Sequence, residues 1–181
     1  MDDFWHAVAM LRLDRPLGLT EVQTCFAGGK AAEGLVGFRK GRLVATTIGY
    51  GTDGAFEGLA RLWLPWKGKE FSRHAAEGVN LFTPGGRRAV RATFPRYRGL
   101  ADGEAGSSAF RFETSIGPSV THPALSALRL DYGSVDENPA LVRSVLDELV
   151  QVDDGLFLGQ ALMRWGGRLR RVAWFSLEAT T

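Results

Sequence analysis

The sequence predicts a mainly β protein, a single antiparallel β-barrel of about eight strands with a short helical N-terminal region. The strongest observation is residues 147–178, which read as three strands joined by tight turns at Asp153-Asp154-Gly155 and Gly166-Gly167. In addition, 23 glycines punctuate short apolar runs over the 181 residues. A closed barrel of this strand number encloses an interior that can hold one small ligand.

Composition indicates one globular domain over residues 1–181, with residues 1–31 as its helical cover. Hydrophobic residues make up 45% of the chain and charged residues 23%, and the net charge of +2 favours no electrostatic partner. Cys25 is the only cysteine, which excludes an intramolecular disulfide and favours a cytoplasmic location. No apolar run approaches the ~18 residues of a membrane span, and Asp2 and Asp3 stand where a signal peptide is basic.

The N-terminal region is predicted to contain two short helices. Residues 3–13 carry Phe4 and Val8 on one helical face, so this amphipathic helix is expected to plug or cover one barrel end. Thr20 and Gln23 resemble a capping box that opens the second helix.

The remaining elements are predicted from alternation and from turn residues. Lys40-Gly41 reads as a hairpin turn between two strands, residues 67–86 as a long loop and the first place to look for a site, and residues 140–146 as a short helix after Pro139. Strands are predicted at 34–39, 42–49, 88–95, 109–116 and 124–132.

Two patches resemble a known family. Trp66-Lys67-Gly68-Lys69-Glu70-Phe71 is similar to the Trp-x-Gly-Lys-x-Phe patch of the calycin-like, GXWXG-type proteins of unknown function. Val152-Asp153-Asp154 and Phe175-Ser176-Leu177-Glu178 resemble the C-terminal segment of the same family, in the same order. The naming motif corresponds to residues 37–41, where Arg39 occupies the tryptophan position. The resemblance implies a calycin-like or lipocalin-like barrel and no particular reaction.

The leading functional hypothesis is binding of a small, mostly apolar molecule, without a cofactor, by a monomer or homodimer. The aromatic and basic patch is either a barrel mouth that holds the acidic head group of an apolar ligand or a pair of barrel-closing tryptophans beside solvated lysines. Its residues are Trp63, Trp66, Lys67 and Lys69. Gln160 shares a strand face with Leu156, Leu158 and Leu162, so its side chain points either into a cavity or under a helix packed on the outside. The predicted ligand-binding residues are Trp66, Lys69, Asn80, Tyr132 and Gln160.

A second hypothesis is a cofactor-free enzyme, such as an isomerase or cyclase, that folds a flexible apolar substrate into a reactive conformer. His74, Asp131 and Tyr132 are its candidate acid/base groups, and it requires at least two of them to converge on one cavity.

Metal, haem and nucleic-acid binding are the remaining classes. The three histidines are too far apart in sequence to form a metal-ligand motif, although His74 alone has the chemistry of an axial haem ligand. Nucleic-acid binding is disfavoured, because a solvated strand face also explains the arginines that alternate with Phe94 and Tyr97. These arginines are Arg87, Arg88, Arg91, Arg96 and Arg98.

Both faces of the last two strands carry apolar side chains. The sequence therefore predicts that something outside the barrel covers one face. The N-terminal helix, with Phe4, Trp5 and Val8, is favoured over a second subunit for this role.

Overall fold

The structure, a computed structural model, describes residues 2–47, 66–74, 76–103 and 106–179. Its helices are α1 (Asp2–Leu13), α2 (Arg15–Ala27), α3 (Pro84–Thr93) and α4 (Ala140–Arg143). Its strands are β1 (Lys30–Ala31), β2 (Gly37–Thr46), β3 (Trp66–Phe71), β4 (Glu77–Phe82), β5 (Ala101–Gly103), β6 (Gly106–Pro118), β7 (Ser126–Asp131), β8 (Val145–Asp153), β9 (Leu156–Trp165) and β10 (Arg168–Ala179).

Eight of the described strands close into an antiparallel barrel. The order β2-β3-β4-β6-β7-β8-β9-β10 follows the chain, and β10 pairs back with β2, for example at Trp174 opposite Ala45. The short β1 and β5 lie outside this circuit, on β8 and β6 respectively. The predicted barrel of about eight strands is confirmed.

The C-terminal meander is confirmed as well. β8, β9 and β10 pair in sequence, and their turns contain Gly155 with a φ of 68°, Gly166 with 55° and Gly167 with 79°. Positive φ angles of this kind are the reason that tight hairpin turns favour glycine.

The predicted hairpin at Lys40-Gly41 is wrong, because these residues lie inside one continuous strand, β2. A side chain at Gly41 would collide with the Trp66 ring and with the Cα of Gly68 on the neighbouring strand. The glycine therefore permits a close approach between strands instead of forming a turn. Of the predicted strand 42–49, residues 48 and 49 lie outside the described part of the chain.

The long loop predicted for residues 67–86 is wrong too, since most of it forms the β3–β4 hairpin. Lys69 pairs with Asn80 across this hairpin, and both side chains are buried in the barrel. The usual alternation of apolar and polar side chains is absent here, because polar residues face inward and glycines occupy positions 68 and 78.

Two helices differ from the predictions, one by replacing a predicted strand and one by an earlier start. Residues 88–95 are mostly helix α3 instead of a strand, because Thr83 caps the helix by accepting from the Gly86 amide at 3.3 Å and Pro84 follows at the first position. Helix α2 starts earlier than the Thr20 capping box, since the Asp14 side chain accepts from the Leu17 amide at 3.1 Å.

The predicted helix at residues 140–146 is shorter than expected. Helix α4 ends at Arg143, and Val145 and Leu146 already belong to strand β8.

Apolar side chains form two separate cores on the two faces of the barrel wall. Phe112, Leu149 and Phe175 belong to the interior core. On the outside, Phe26 of α2 lies 5.4 Å from the Trp174 ring, and Leu158 packs in the same cluster. The interior core also includes Phe71, Phe82, Phe110, Leu130, Phe157 and Leu177, and the outer core Phe4, Ala7, Val22, Ala45, Ala127, Val150 and Leu156.

The two N-terminal helices thus cover the flank of the barrel beside β8, β9 and β10, and not one of its ends as predicted for residues 3–13. Phe4 is buried in the outer core, with Trp5 and Val8 packed against it, as expected of a helix that covers this face. Cys25 is half-buried nearby, and burial raises the pKa of its thiol. None of the helices in the described residues is long and apolar enough to cross a membrane.

Candidate functional site

A cavity of about 70 Å³ lies within the barrel. Most of its wall is aromatic or aliphatic, and Trp66 and Phe175 are among its aromatic residues. Four polar side chains share this wall, and they come from three strands and the end of a fourth: Lys69, Asn80, Tyr132 and Asp147. We refer to these four residues as the polar cluster.

Lys69 is the centre of the polar cluster. Its Nζ lies 2.8 Å from Asp147 Oδ2, 2.8 Å from Asn80 Oδ1 and 2.5 Å from the Tyr132 hydroxyl. An ammonium group has three hydrogens to donate, so these partners use its full capacity.

Tyr132 and Asn80 complete the network. The Tyr132 hydroxyl donates to Asp147 Oδ2 at 3.1 Å and accepts from Asn80 Nδ2 at 2.9 Å. Asn80 Nδ2 also donates to the Phe110 carbonyl at 3.1 Å, and Asn80 Oδ1 accepts from Trp66 Nε1 at 3.1 Å. Both polar ends of the Asn80 amide are therefore fixed by partners.

The backbone of β6 is irregular beside this network. Phe110 has a φ of 58°, and the pairing of β4 with β6 shifts register next to Asn80. Phenylalanine rarely adopts this left-handed conformation. Bulges of this kind redirect backbone groups near functional sites, and here the Phe110 carbonyl receives an Asn80 hydrogen bond while its amide donates to the Tyr97 hydroxyl at 2.8 Å.

Four aromatic rings surround the Lys69 ammonium. The ring centroids of Trp66, Phe112, Tyr132 and Phe175 lie 5.2 to 5.3 Å from Nζ. Attraction between a cation and a ring face stabilises the charged form of a lysine that has lost its water shell.

Burial dominates the electrostatics of the polar cluster. Desolvation lowers the pKa of Lys69, and the nearby carboxylate of Asp147 opposes that effect. Desolvation also raises the pKa of Tyr132 well above its ordinary value, and the Asp147 charge acts in the same direction. Tyr132 is therefore a neutral hydrogen-bonding group at physiological pH.

One atom of the polar cluster lacks a partner. Asp147 Oδ2 accepts from Lys69 and Tyr132, but its Oδ1 is buried without a hydrogen-bond partner among the described residues. Asp147 is only 4% exposed. Buried acceptors are nearly always satisfied in native proteins, by protein groups or by ordered water.

The structure brings four of the five predicted ligand-binding residues to one cavity, namely Trp66, Lys69, Asn80 and Tyr132. Lys69 is buried there, in contrast to the alternative of solvated lysines, while Trp63 lies outside the described residues. The fifth residue, Gln160, lies on the outer face of β9, next to the outer-core residue Leu158.

Gln160 belongs to a second buried polar group on the outside of the barrel. Its Nε2 and the Ser119 hydroxyl both donate to Glu148 Oε2 at 2.7 Å, and the Val120 amide donates to Glu148 Oε1 at 2.7 Å. These bonds attach the connection between β6 and β7 to the wall formed by β8 and β9.

The proposed acid/base groups do not converge. Tyr132 faces the cavity, whereas Asp131, the preceding residue, is exposed and accepts from the Gly133 amide at 2.8 Å. Neighbouring residues along extended chain point to opposite sides, which explains their separation. His74 is exposed in the β3–β4 turn, where its amide donates to Ser72 Oγ at 3.3 Å. In the described residues, no group of three or more acidic, His or Cys side chains is arranged to hold a metal ion.

The arginines predicted on a strand face instead occupy helix α3 and the segment after it. Arg87 is paired with Asp102 at 2.8 Å, and the neighbouring Arg88 and Arg91 are partly or fully exposed. This arrangement is typical of a solvated helix surface.

Asp147 was not among the predicted site residues, although its position in the strand pattern indicates a buried polar site. It lies between Val145 and Leu149 at period two, so the same face of β8 alternates apolar, charged, apolar. A charged residue on an otherwise apolar strand face indicates a buried polar site. The adjacent Glu148, which is buried on the other face, concealed the pattern.

A solved structure of a protein from Thermomonospora curvata has a similar fold. It superposes on this chain with a TM-score of 0.52 over 100% of both chains, at 14% sequence identity. At this identity the likeness shows the fold alone. No protein-family model and no curated protein matches the sequence.

Proposed function

We propose that this protein binds a small, mostly apolar molecule in the barrel cavity, against the polar cluster. The observation that carries the proposal is the Lys69–Asp147 ion pair, buried at a cavity wall that is otherwise mostly apolar. Replacing a buried ion pair with apolar residues is often neutral or stabilising, so stability alone gives little reason to keep one. A charged pair with an unpartnered oxygen, beside a cavity, fits recognition of a polar group on an apolar ligand.

The same pair defines the charge of the ligand. Asp147 lies 2.8 Å from the Lys69 ammonium and compensates its charge. An acidic head group would therefore enter a cavity without an uncompensated cation, at a large desolvation cost. The proposed ligand is neutral.

Cavity size limits the ligand. An engineered cavity of about 150 Å³ in another protein accommodates benzene, and the cavity here measures about 70 Å³. The present wall positions admit a molecule smaller than benzene, so a ligand with a five- or six-membered ring requires wall side chains, such as the exposed Leu43, to move, and we include this movement in the proposal.

Binding is favoured over the isomerase or cyclase alternative. That alternative required two of His74, Asp131 and Tyr132 at one cavity, and Tyr132 alone lines this one. The exposed position of His74 is likewise a poor setting for an axial haem ligand held in an apolar pocket. We propose a cytoplasmic location because a single cysteine suits a reducing compartment, and a monomer because α1 and α2 already cover the apolar outer face beside β9 and β10.

The test is whether the protein binds cyclopentanol or cyclohexanol. Binding is measured by ligand-detected NMR and by the shift of the thermal unfolding temperature. Wild type is expected to bind at least one of them, and Leu43→Trp, which adds a large ring at the cavity wall, is expected to bind less. Leu13→Trp is the matched control, because Leu13 is 81% exposed and distant from the cavity. Absence of binding to wild type, or equal binding to both tryptophan variants, would contradict the proposal.

A further inference from the structure

The hydrogen bonds within the polar cluster leave one type of contact for a ligand. The Lys69 ammonium uses its three donors on Asp147, Asn80 and Tyr132. The Tyr132 hydroxyl donates to Asp147, and its oxygen accepts from both Lys69 and Asn80. The Trp66 indole N–H is occupied by Asn80 as well.

Every side-chain donor of the polar cluster therefore has an acceptor. The atom that lacks a partner among the described residues, Asp147 Oδ1, can only accept, because the carboxylate that pairs with the Lys69 ammonium carries no hydrogen. A ligand that brings only an acceptor, such as a ketone or an ether, finds no free side-chain donor in the polar cluster and loses its own hydrogen bonds with water.

We propose that the ligand of this cavity is a neutral apolar compound with a hydroxyl group, an alcohol or a phenol, whose O–H donates to Asp147 Oδ1. This inference rests on the proposed function, because it requires that the cavity admits a small molecule. It adds the chemical class of the ligand and the atom that recognises it.

Charge selects the hydroxyl from among the possible donors. Asp147 and Lys69 neutralise each other, so a ligand ammonium would add an uncompensated positive charge in a buried site. A ligand carboxylate offers no donor and would add a negative charge beside Asp147. A hydroxyl brings one donor without any charge.

Matched pairs of compounds test the inference on wild type. Cyclopentanol is compared with cyclopentanone, and cyclohexanol with cyclohexanone, by ligand-detected NMR titration. Each pair shares its ring skeleton, so the ring contributes nearly equally to burial in both members. A hydrogen bond to a charged group is stronger than one between neutral groups, so the alcohol is expected to bind roughly tenfold more tightly or better. Equal or tighter binding of the ketone would overturn the inference.

Asp147→Asn provides a second test with an opposite expectation. Lys69 and Tyr132 both donate to Oδ2, so the amide oxygen of Asn is expected to remain with them, and the amide N–H₂ then occupies the position of Oδ1. This replaces an acceptor with a donor, and the preference is expected to invert toward the ketones. A variant that retains the alcohol preference would contradict the role of Oδ1. Circular dichroism shows whether the variant is folded. If it is unfolded, the matched pairs measured on wild type decide alone.

Failure of the inference differs from failure of the proposed function. Binding of both members of a pair with equal affinity would overturn the hydroxyl specificity and leave the apolar binding site supported. No binding of any of the four compounds to wild type would overturn both.

Discussion

Lys69 and Asp147 form an ion pair in the barrel, with Nζ 2.8 Å from Oδ2 and with side chains only 3% and 5% exposed. They lie on β3 and β8, which are not neighbours in the sheet, so the pair joins two separate parts of the barrel wall. Lys69 Nζ also donates to Asn80 and to the Tyr132 hydroxyl, and Asp147 Oδ2 also accepts from Tyr132, so Oδ1 is the one polar atom of the pair without a partner among the described residues. The site is therefore rigid enough to present its remaining oxygen in one position.

Removing one member of the ion pair is expected to cost much more than removing both. Lys69→Met leaves the Asp147 carboxylate buried and unpaired, and we expect a loss of about 3–5 kcal/mol in the free energy of unfolding. The double variant Lys69→Met/Asp147→Leu is expected to regain most of that loss, because no buried charge remains. Urea unfolding of Lys69→Met, of Asp147→Leu and of the double variant measures the coupling. Additive losses would show that the two residues do not interact as a pair.

Tyr132 is expected to make stability depend on alkaline pH. Its pKa is raised in the folded protein above the ordinary value of 10.0, mainly by desolvation. Its contribution is therefore complete below pH 10.0 and is lost as pH rises toward the folded pKa, because the unfolded chain releases the proton first. The stability difference between wild type and Tyr132→Phe should shrink, or change sign, above that pH.

Lys69 changes the pH dependence of stability in the opposite direction. Comparing wild type with Tyr132→Phe largely cancels this contribution. Its lowered pKa means that the unfolded chain binds the proton more tightly, so this residue makes stability rise with pH up to its ordinary value of 10.5. Because Lys69 is present in both proteins, the difference between them reports mainly Tyr132. A difference that stays constant across the alkaline range in thermal unfolding would contradict a raised Tyr132 pKa.

The fold was predictable where local chemistry decides it. The β8–β9–β10 meander was recognised from the turns at Gly155 and Gly166, positions whose positive φ favours glycine in any context. Residues 67–86 were misread because the sequence shows no apolar alternation there. Lys69 and Asn80 point inward, and only their tertiary partners make that arrangement stable.

The site was predictable in part. Lys69 was singled out because it lies near Trp66, Asn80 because it lies in the segment 67–86, and Tyr132 as a phenol at a strand end. Gln160 was misplaced because both faces of β9 are buried, and alternation then cannot distinguish the barrel interior from the side under the helices. Asp147 was missed for a related reason, since Glu148 beside it is also buried.

Packing of α2 against the barrel is expected to contribute strongly to stability. Phe26 is fully buried, and its ring centroid lies 5.4 Å from that of Trp174. Phe26→Ala is expected to lower the free energy of unfolding by about 3–5 kcal/mol. Leu13→Ala is the control, with an expected change within about 0.5 kcal/mol because Leu13 is 81% exposed. Equal effects in chemical unfolding would mean that the outer core does not hold the helices.

Gln160 is expected to affect stability and not ligand binding. Gln160→Leu removes a donor to Glu148 Oε2 on the outside of the barrel, which should cost about 1–3 kcal/mol. Asn80→Leu is the matched comparison, because Asn80 lines the cavity and fixes both Lys69 and Tyr132. Cyclohexanol affinity should fall in Asn80→Leu alone. A similar fall in Gln160→Leu would return Gln160 to the binding site.

Gly41 is expected to control the position of Trp66 and, through it, the cavity. A Cβ at Gly41 would collide with the Trp66 ring and the Gly68 backbone, so Gly41→Ala forces the ring to move. We expect a loss of about 1–3 kcal/mol in stability, as for other overpacked sites. Cyclohexanol affinity should fall as well, because Trp66 lines the cavity and donates to Asn80 Oδ1.

The control for this glycine is Gly28→Ala at the end of α2. Gly28 has a φ of −85°, and an added Cβ would find its nearest neighbour at an ordinary 3.6 Å. This substitution should be neutral or stabilising by about 0.4–1 kcal/mol, because alanine restricts the unfolded chain without straining the folded one. Thermal unfolding and NMR titration of both variants separate the two effects. If Gly41→Ala were as stable as Gly28→Ala and bound cyclohexanol as well, the Trp66 ring would have room to move, and the close approach of β2 to β3 would not determine the shape of the cavity.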